Sequence, residues 1–579
     1  MASGRSTPIL GIPNTTHLSH GCPTSKMEFP MRIALAQTNS TVGDLSGNTR
    51  MILNYARQAD EAGADVAVFP ELALTGYPPR DLLEKQSFLD RTEEHLQQLV
   101  AASSGLKTTI ICGTVTATAV STGNHLFNSA AVIQNGVVAF RQNKMLLPTY
   151  DVFDEARYFQ PADKQLPVEI SGSKTALTIC EDAWNDKQYW ERRRYSRDPV
   201  EELAQAGAHI LISINASPYN MHKRALRREI FQATARHFRM PLVYVNQVGG
   251  NDQLVFDGSS FAMDAEGNVI ASAKSFAEDL VLFDSDRLTG DQHENLTDEC
   301  DAVYEALVVG TRDYIRKCGF DRVLIGLSGG IDSSLVGAIA VHAVGHENVT
   351  GIAMPGPYSS EHSIADAQVL AENLGIAFDI VPIGTMYDDF LKVLDPLFGD
   401  CPQDATEENI QSRLRGVTLM ALSNKKGALV LTTGNKSELA IGYCTLYGDM
   451  CGGLAVISDV PKVLVYQLAR IANKRLRGAI PENVFSKPPS AELRPNQKDT
   501  DTIPPYEVLD PILRAYVEQY QSAQQIAESQ HVPIELVRDI INKVDRNEYK
   551  RQQAAPGLKV TTKAFGIGRR FPIAQRFYE

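Results

Sequence analysis

No Cys-x-x-Cys pair occurs among the eight cysteines, so neither a zinc site nor a disulfide framework is indicated, and a reducing, cytoplasmic setting fits that usage. No apolar run approaches the roughly 18 residues that a membrane-spanning helix requires. Residues 1–28 lack the continuous apolar core of a signal peptide and are rich in Ser, Thr, Pro and Gly, which predicts a disordered leader. Positive charge is not in excess either: the net charge is −13 and the pI is near 5.5, which disfavours nucleic acid as the main partner and points to small molecules. The G-x-x-x-x-G-K-[ST] nucleotide loop is also missing.

What is present is Val323 to Leu335, VLIGLSGGIDSSL, an apolar strand that runs into paired glycines and leaves through Asp332, Ser333 and Ser334. Gly329 and Gly330 allow backbone N–H groups to approach an anion, and the following helix turns its positive N-terminus toward the same point. An aspartate beside phosphates repels them unless a divalent cation lies between, so Asp332 reads as a Mg²⁺ ligand. By itself S-G-G is equally well a capped strand-to-helix turn. The full string resembles the pyrophosphate loop of the ATP-pyrophosphatase family, whose members adenylate a carboxylate or carbonyl.

At 579 residues the chain exceeds what one core accommodates, so at least two domains are expected. From Met31 onward, apolar strands and helix-period segments alternate and include several hairpins, which predicts a layered α/β domain over residues 29–284. Three polar residues stand at strand ends there: Glu71 in FPELALTGYP, Lys144 in RQNKMLLP and Cys180 in LTICEDAW. Taken singly they read as a cap, a surface charge and a small buried hydrophobe. Together they supply a base, an oxyanion partner and a nucleophile, a set in which no histidine is needed. The trio resembles the Glu-Lys-Cys triad of the nitrilase-type amidases. That resemblance implies a four-layer αββα sandwich, with Glu71 as base, Lys144 at the oxyanion and Cys180 as nucleophile. In glutamine-using members it also implies that Tyr150, Ser217 and Lys223 hold the amino acid. Asp154 and Glu155, in LPTYDVFDE, fit an amino-acid site and an interdomain contact equally.

Residues 285–299 are polar and aperiodic, the pattern of a linker, and a second α/β domain follows over residues 300–579. Its strands and helices alternate as in a doubly wound parallel sheet, which puts SGGIDSS, MPGPYSS and TTGNKSE at strand C-termini, where such sheets bind ligands. These motifs resemble the NAD synthetases, a branch of the same adenine-nucleotide alpha-hydrolase-like group. The resemblance implies ATP contacts from Gly326, Leu327, Ser328, Gly329, Gly330, Ile331, Asp332, Ser333 and Thr433. It further implies Mg²⁺ on Asp332 and Glu438, with deamido-NAD held by Asn409, Arg413, Glu438 and Lys550. Without it, Arg413 reads as an exposed helix charge and Glu438 as an acid favoured by a helix dipole. The proline-rich stretch 486–505 has the composition of a mobile loop, and its position suggests a lid over ATP from which Lys487 reaches the phosphates. The sequence LYGDMCGGLAVISD departs from the glycine-rich family pattern, which puts Asp449 in question and leaves Cys444 and Cys451 as structural.

Paired, the two halves imply an enzyme that releases ammonia from glutamine and uses it to amidate an adenylated dinucleotide acid, as a homo-oligomer that is at least a dimer through the second domain. Other glutamine-fed members of the ATP-pyrophosphatase group, or a nucleotide sensor with an inert amidase half, share the opening loop. Intact Glu71, Lys144 and Cys180 weigh against the sensor.

Overall fold

The structure is a computed structural model, and it describes residues 30–118, 122–495 and 497–577. The expected leader, 1–28, lies outside the described residues.

Strand Arg32–Gln37 sets the pattern of the first domain. Ile33 and Leu35 face one side and Ala34 and Ala36 the other, because side chains alternate along a strand. The inner face packs with Val66, Val68 and Ile111 against Leu177, Ile179, Ile212 and Val245 of a second sheet. The outer alanines lie against Ile52, Ala56, Leu96 and Leu99, on helices Leu45–Glu61 and Gln86–Ser103. The second sheet is covered in turn by Leu203, Phe231 and Ala235, from helices Pro199–Gln205 and Lys223–Phe238. Helix, seven-stranded sheet, six-stranded sheet and helix form the αββα sandwich that the sequence suggested.

Residues 285–299 are not featureless. Thr289–Gly290 pairs antiparallel with strand Asp279–Asp284 and becomes the edge of the seven-stranded sheet, a two-residue strand too short to give a period.

The second domain is a five-stranded sheet whose pairings are all parallel. The chain moves outward from Val323–Gly326 through Val349–Ala353 to Ala377–Ile380, then returns to Leu429–Thr432 on the opposite side of the first strand. The order therefore reverses between Val323–Gly326 and Leu429–Thr432, and ligands bind at such a switch point. Helices Glu299–Lys317, Ile331–Val344 and Lys462–Arg475 pack into one core with Val323 and Ile325. Leu419, from helix Ala405–Lys426, covers the other face with Leu324 and Val430. Tyr219, Val255 and Phe276 of the first domain join the core of the second, so part of the domain boundary is apolar, beside polar contacts such as Lys317 to Asn39 and Asn251.

Candidate functional sites

Cys180 follows strand Ser173–Ile179 with φ +46°, a left-handed conformation rare outside glycine, and opens a short 3₁₀ turn. Holding it there costs about 1–3 kcal/mol, strain of the kind that collects at reactive positions. Glu71 lies just beyond strand Val66–Val68 in a turn pressed against strand Thr109–Ala117. Gly113 permits that approach, since a Cβ there would fall 2.1 Å from the Leu72 nitrogen. Lys144 ends the next hairpin, and its Nζ donates to Glu71 Oε1 at 2.7 Å and to Glu155 Oε1 at 2.8 Å. All three ion-pair partners are buried.

Burial alone would discharge the Lys144 amine, but Glu155 and Glu71 overrule it and hold its pKa well above the ordinary lysine value. Burial also pushes the Cys180 thiol well up, and Glu71 adds to the shift while Lys144 opposes it, so at rest the sulfur keeps its proton. The Glu155 carboxyl is raised by burial against the pull of Lys144. Glu71 is held further by Asn128 Nδ2 at 2.7 Å and by the Ala216 N–H at 3.0 Å.

Of the pair that sequence left open, Glu155 belongs to this centre, where it also accepts from Tyr77 OH at 2.9 Å. Asp154 is instead a domain contact, 3.4 Å from Arg570 of the C-terminal segment. Asp182, two residues after the nucleophile, ties the Cys180 turn to the Lys144 turn by accepting from the Met145 and Leu146 N–H groups at 3.0 and 2.7 Å. Tyr150 donates to Glu181 at 2.9 Å, and Lys223 donates to the Pro218 carbonyl at 2.9 Å. Burial lowers the Lys223 amine to about 8. Tyr150 and Lys223 both lie close enough to Cys180 that a thiolate there would act on them electrostatically. Ser217 is buried next in the chain to Ala216, whose N–H donates to Glu71, and its own N–H donates to Asn246 Oδ1 at 2.9 Å.

Burial brings the Asp182 carboxyl up to about 6, opposed by the N–H donors around it. Because the folded state binds this proton more tightly than the unfolded chain, the group's stabilisation is present at low pH and is lost as pH rises through about 6. Activity should run the opposite way: protonation removes an acceptor from the turn that aims Lys144. We expect glutamate release to fall as pH drops through about 6, without unfolding, and an Asp182→Asn variant to lose that acidic limb along with most of its rate. A pH profile of glutamate release, read beside near-UV circular dichroism, checks both parts.

The second site is a cavity of about 310 Å³ at the switch point of the parallel sheet, lined by Gly326–Ser328, Gly330–Ser333, Thr433 and Glu438. Gly329 has φ +74°, and a Cβ there would meet the Ser363 carbonyl at 2.2 Å, so the tight loop requires glycine. Asp332 Oδ2 accepts from Lys462 Nζ at 2.5 Å, and Glu438 Oε1 accepts from the same ammonium at 3.2 Å. Burial raises the Glu438 carboxyl, with Lys462 opposing. These carboxylates follow adjacent strands and converge on one cation, and among the described residues no group of three or more His, Cys, Asp or Glu could hold a metal. Two carboxylates are the number a Mg²⁺ ion takes, with water and phosphate oxygen completing its shell, and here the Lys462 ammonium holds both.

Three of the expected dinucleotide contacts do not line this cavity. Asn409 accepts from Thr445 Oγ1 at 2.8 Å, Arg413 Nε donates to the Leu446 carbonyl at 3.3 Å, and Lys550 Nζ donates to the Gly442 and Cys444 carbonyls at 2.8 Å. They brace the 442–446 turn, whose Tyr443 and Cys444 line the cavity. Ser412, Arg415, Gly416 and Leu419 present the inward face of helix Ala405–Lys426, so the lining arginine is Arg415, two positions after the expected one. Asp449 lines the cavity too and accepts from the Thr445 N–H at 2.8 Å, while burial brings its carboxyl up to about 6. Lys487 to Leu493 and Asp499 line the cavity: Lys487 bonds Ser363, and Glu492 accepts from the Ser360 N–H at 3.1 Å. Lys462 and Arg415 carry no sequence signal, since each reaches the site from a helix remote in the chain.

The carbon-nitrogen hydrolase family matches residues 32–292 and the NAD synthase family residues 303–554. A glutamine-dependent NAD(+) synthetase of Synechocystis is 50% identical, over 94% of this chain and 99% of its own. Another, of Thermotoga maritima, is 43% identical, over 95% and 99%. Among solved structures, the glutamine-dependent NAD+ synthetase of Acinetobacter baumannii in complex with ADP is 40% identical over 94% of this chain and 98% of its own, with a TM-score of 0.73. An identity of 50% over nearly the whole of both chains, with a family match on each domain, leaves one assignment: the chain belongs to the glutamine-dependent NAD(+) synthetases.

Proposed function

We propose that the chain amidates nicotinic acid adenine dinucleotide to NAD in the second-domain cavity with ammonia cut from glutamine at Cys180, consuming ATP and releasing AMP, pyrophosphate and glutamate. The observation that carries this reading is the presence of two centres, Glu71–Lys144–Cys180 and Asp332–Lys462–Glu438, in domains that share one continuous apolar cluster.

In the first step Glu71 takes the Cys180 proton as sulfur attacks the glutamine carboxamide, and Lys144 stabilises the oxyanion. The Glu71 proton then leaves with ammonia, and water hydrolyses the thioester to glutamate. Tyr150, Ser217 and Lys223 hold the amino acid, and Glu155 keeps Lys144 charged and aimed. In the second step the substrate carboxylate attacks the α-phosphorus of ATP, pyrophosphate departs from the Gly326–Ser333 loop, and ammonia displaces AMP from the acyl adenylate. Asp332 and Glu438 would hold a Mg²⁺ ion that offsets phosphate charge as pyrophosphate forms. Thr433 contacts ATP, and Lys487 reaches its phosphates from the 486–505 lid. Asn409, Arg413 and Lys550 hold the dinucleotide acid along the 442–446 turn, together with Glu438.

Ammonia is mostly ammonium at neutral pH, so it travels from Cys180 to Ser328–Ser333 through the buried boundary. The apolar cluster shared by Tyr219, Val255, Leu558 and Val560 supports such a dry path.

A second copy of the chain covers the second domain. Phe390, Val393 and Leu397 are exposed on helix Gly384–Phe398, and Val417 is exposed on the adjoining helix Ala405–Lys426, near Arg413. No described helix is long and apolar enough to cross a membrane, and all seven described cysteines are free thiols, which suits a cytoplasmic enzyme.

With ATP, glutamine and the dinucleotide acid supplied, glutamate, AMP, pyrophosphate and NAD should appear in equal amounts. Glutamate without NAD under those conditions would reject the proposal.

A further inference from the structure

The turn that carries Tyr150 near one end and Glu155 at the other is closed on itself: the Phe153 N–H donates to the Tyr150 carbonyl at 3.0 Å, and the Glu155 N–H to the Pro148 carbonyl at 3.1 Å. Asp151 stands between them with φ +51°, a left-handed conformation that aspartate adopts more readily than most residues but still at a cost. Its carboxylate meets two ammonium groups of the second domain, Lys559 Nζ at 3.2 Å and Lys563 Nζ at 3.4 Å. The side chains are 3% and 14% exposed for the lysines and 19% for Asp151, so this is not the open surface pairing that water screens away.

The segment that brings these lysines is anchored on both domains. On the second, Asp459 Oδ2 accepts from the Val560 and Thr561 N–H groups at 2.8 and 2.7 Å. On the first, the Lys559 N–H donates to the Gln253 carbonyl at 2.8 Å, and the Val560 carbonyl accepts from the Met221 N–H at 2.9 Å. Lys559 Nζ also donates to the Thr561 carbonyl at 2.8 Å, which fixes the ammonium where Asp151 meets it. The approach is close, since a Cβ on Gly568 would fall 2.7 Å from Asp151 Oδ1. Met221 lies two residues before Lys223, and Lys559 is near enough to act on the Lys223 amine, which burial and Arg227 already depress. One short stretch of the second domain thus touches what supports both Tyr150 and Lys223. Asp154 with Arg570 is a different case: both side chains are exposed, and solvent screens their pairing.

We infer that Lys559 and Lys563 are positioning residues of the amidase site, which hold Tyr150 through Asp151, so that the second domain completes the glutamine pocket. The inference rests on the reading of Tyr150 as a glutamine-holding side chain. The clamp belongs to the fold itself and acts whether the phosphate loop is empty or filled. Because Tyr150 holds the amino acid while Glu71, Lys144 and Cys180 do the chemistry, loss of the clamp falls on glutamine binding rather than on turnover.

The test uses the full chain with Lys559→Met and Lys563→Met together, which keeps both stems and deletes both charges. Glutamate release is measured as kcat and KM, with and without ATP and the dinucleotide acid, beside NAD formation from ammonium chloride. Glutamine KM should rise about tenfold in both conditions, with kcat and ammonia-driven NAD formation within about twofold of wild type. Asp151→Asn should raise KM by a similar factor, and adding it to the two lysine substitutions should cost little more, since all three break one contact. Arg570→Ala should leave KM within about twofold, and an equal rise there would overturn the specific pairing. Additive losses would overturn the route through Asp151, and an unchanged KM would overturn the role of the lysines. Loss of both activities in the lysine variant and in Asp151→Asn alike would assign these residues to stability and overturn the inference. An unchanged glutamine KM in Tyr150→Phe would instead break the reading of Tyr150 itself.

Discussion

A Cys180→Ala variant is expected to lose glutamine-driven NAD formation by on the order of 10⁴-fold or more, while ammonia-driven NAD formation stays within about twofold of wild type. The size of the loss follows from the role: without sulfur no thioester forms, and neither Glu71 nor Lys144 can replace the nucleophile. The sparing of the second activity follows from the architecture. Cys180 sits in the first-domain core, and the phosphate loop is built on the second domain's parallel sheet. Alanine also removes the raised thiol from a strained position and leaves the Lys144 bonds to Glu71 and Glu155 intact, so the domain should fold normally. Parallel assays of NAD with glutamine or ammonium as nitrogen source check it, and loss of both activities would contradict the division of labour.

An Asp332→Asn variant should show the complementary pattern. It keeps the side chain's shape and can keep the bond from Asn435 Nδ2 at 2.9 Å, but leaves the buried Lys462 with Glu438 as its one anionic partner there. One of the two carboxylates that would hold a Mg²⁺ ion at the phosphate loop is lost, so the cationic offset for departing pyrophosphate weakens by about 10²- to 10³-fold. NAD formation should fall by that factor with glutamine and with ammonium alike, while glutamate release measured without ATP is retained. Thermal melting of the variant separates this from misfolding, and a glutamine-only defect would place Asp332 outside the synthetase chemistry.

Much of this was legible because the chemistry sits at strand ends, where a change from apolar run to polar residue marks both a fold boundary and a site. Glu71, Lys144, Cys180 and the Gly326–Ser333 loop all follow such runs. The layered α/β character of the first domain was readable from alternating periods of 3.6 and 2, whereas its αββα order was implied by the resemblance to the nitrilase-type amidases. Contacts between distant segments were not readable. Lys462 begins a helix right after Pro461, where a lysine usually means a solvated surface, yet it is buried between two acids. Arg413 and Arg415 differ locally by two residues, and only the packed helix decides which one faces the cavity. Glu155 became part of the amidase centre, and its neighbour Asp154 a contact with Arg570, for the same reason. Helix Gly384–Phe398 was not anticipated although Met386, Phe390, Val393 and Leu397 recur at helical spacing, and that its stripe stays exposed on the single chain is visible only in the fold.

The central claim is that nitrogen released at Cys180 reaches the adenylate inside the protein. Turnover with amide-¹⁵N glutamine in a bath of unlabelled ammonium, followed by mass analysis of the dinucleotide, tests it directly. The account predicts product carrying ¹⁵N in its carboxamide at the enrichment of the glutamine. A product whose enrichment follows the bulk ammonium pool would contradict it.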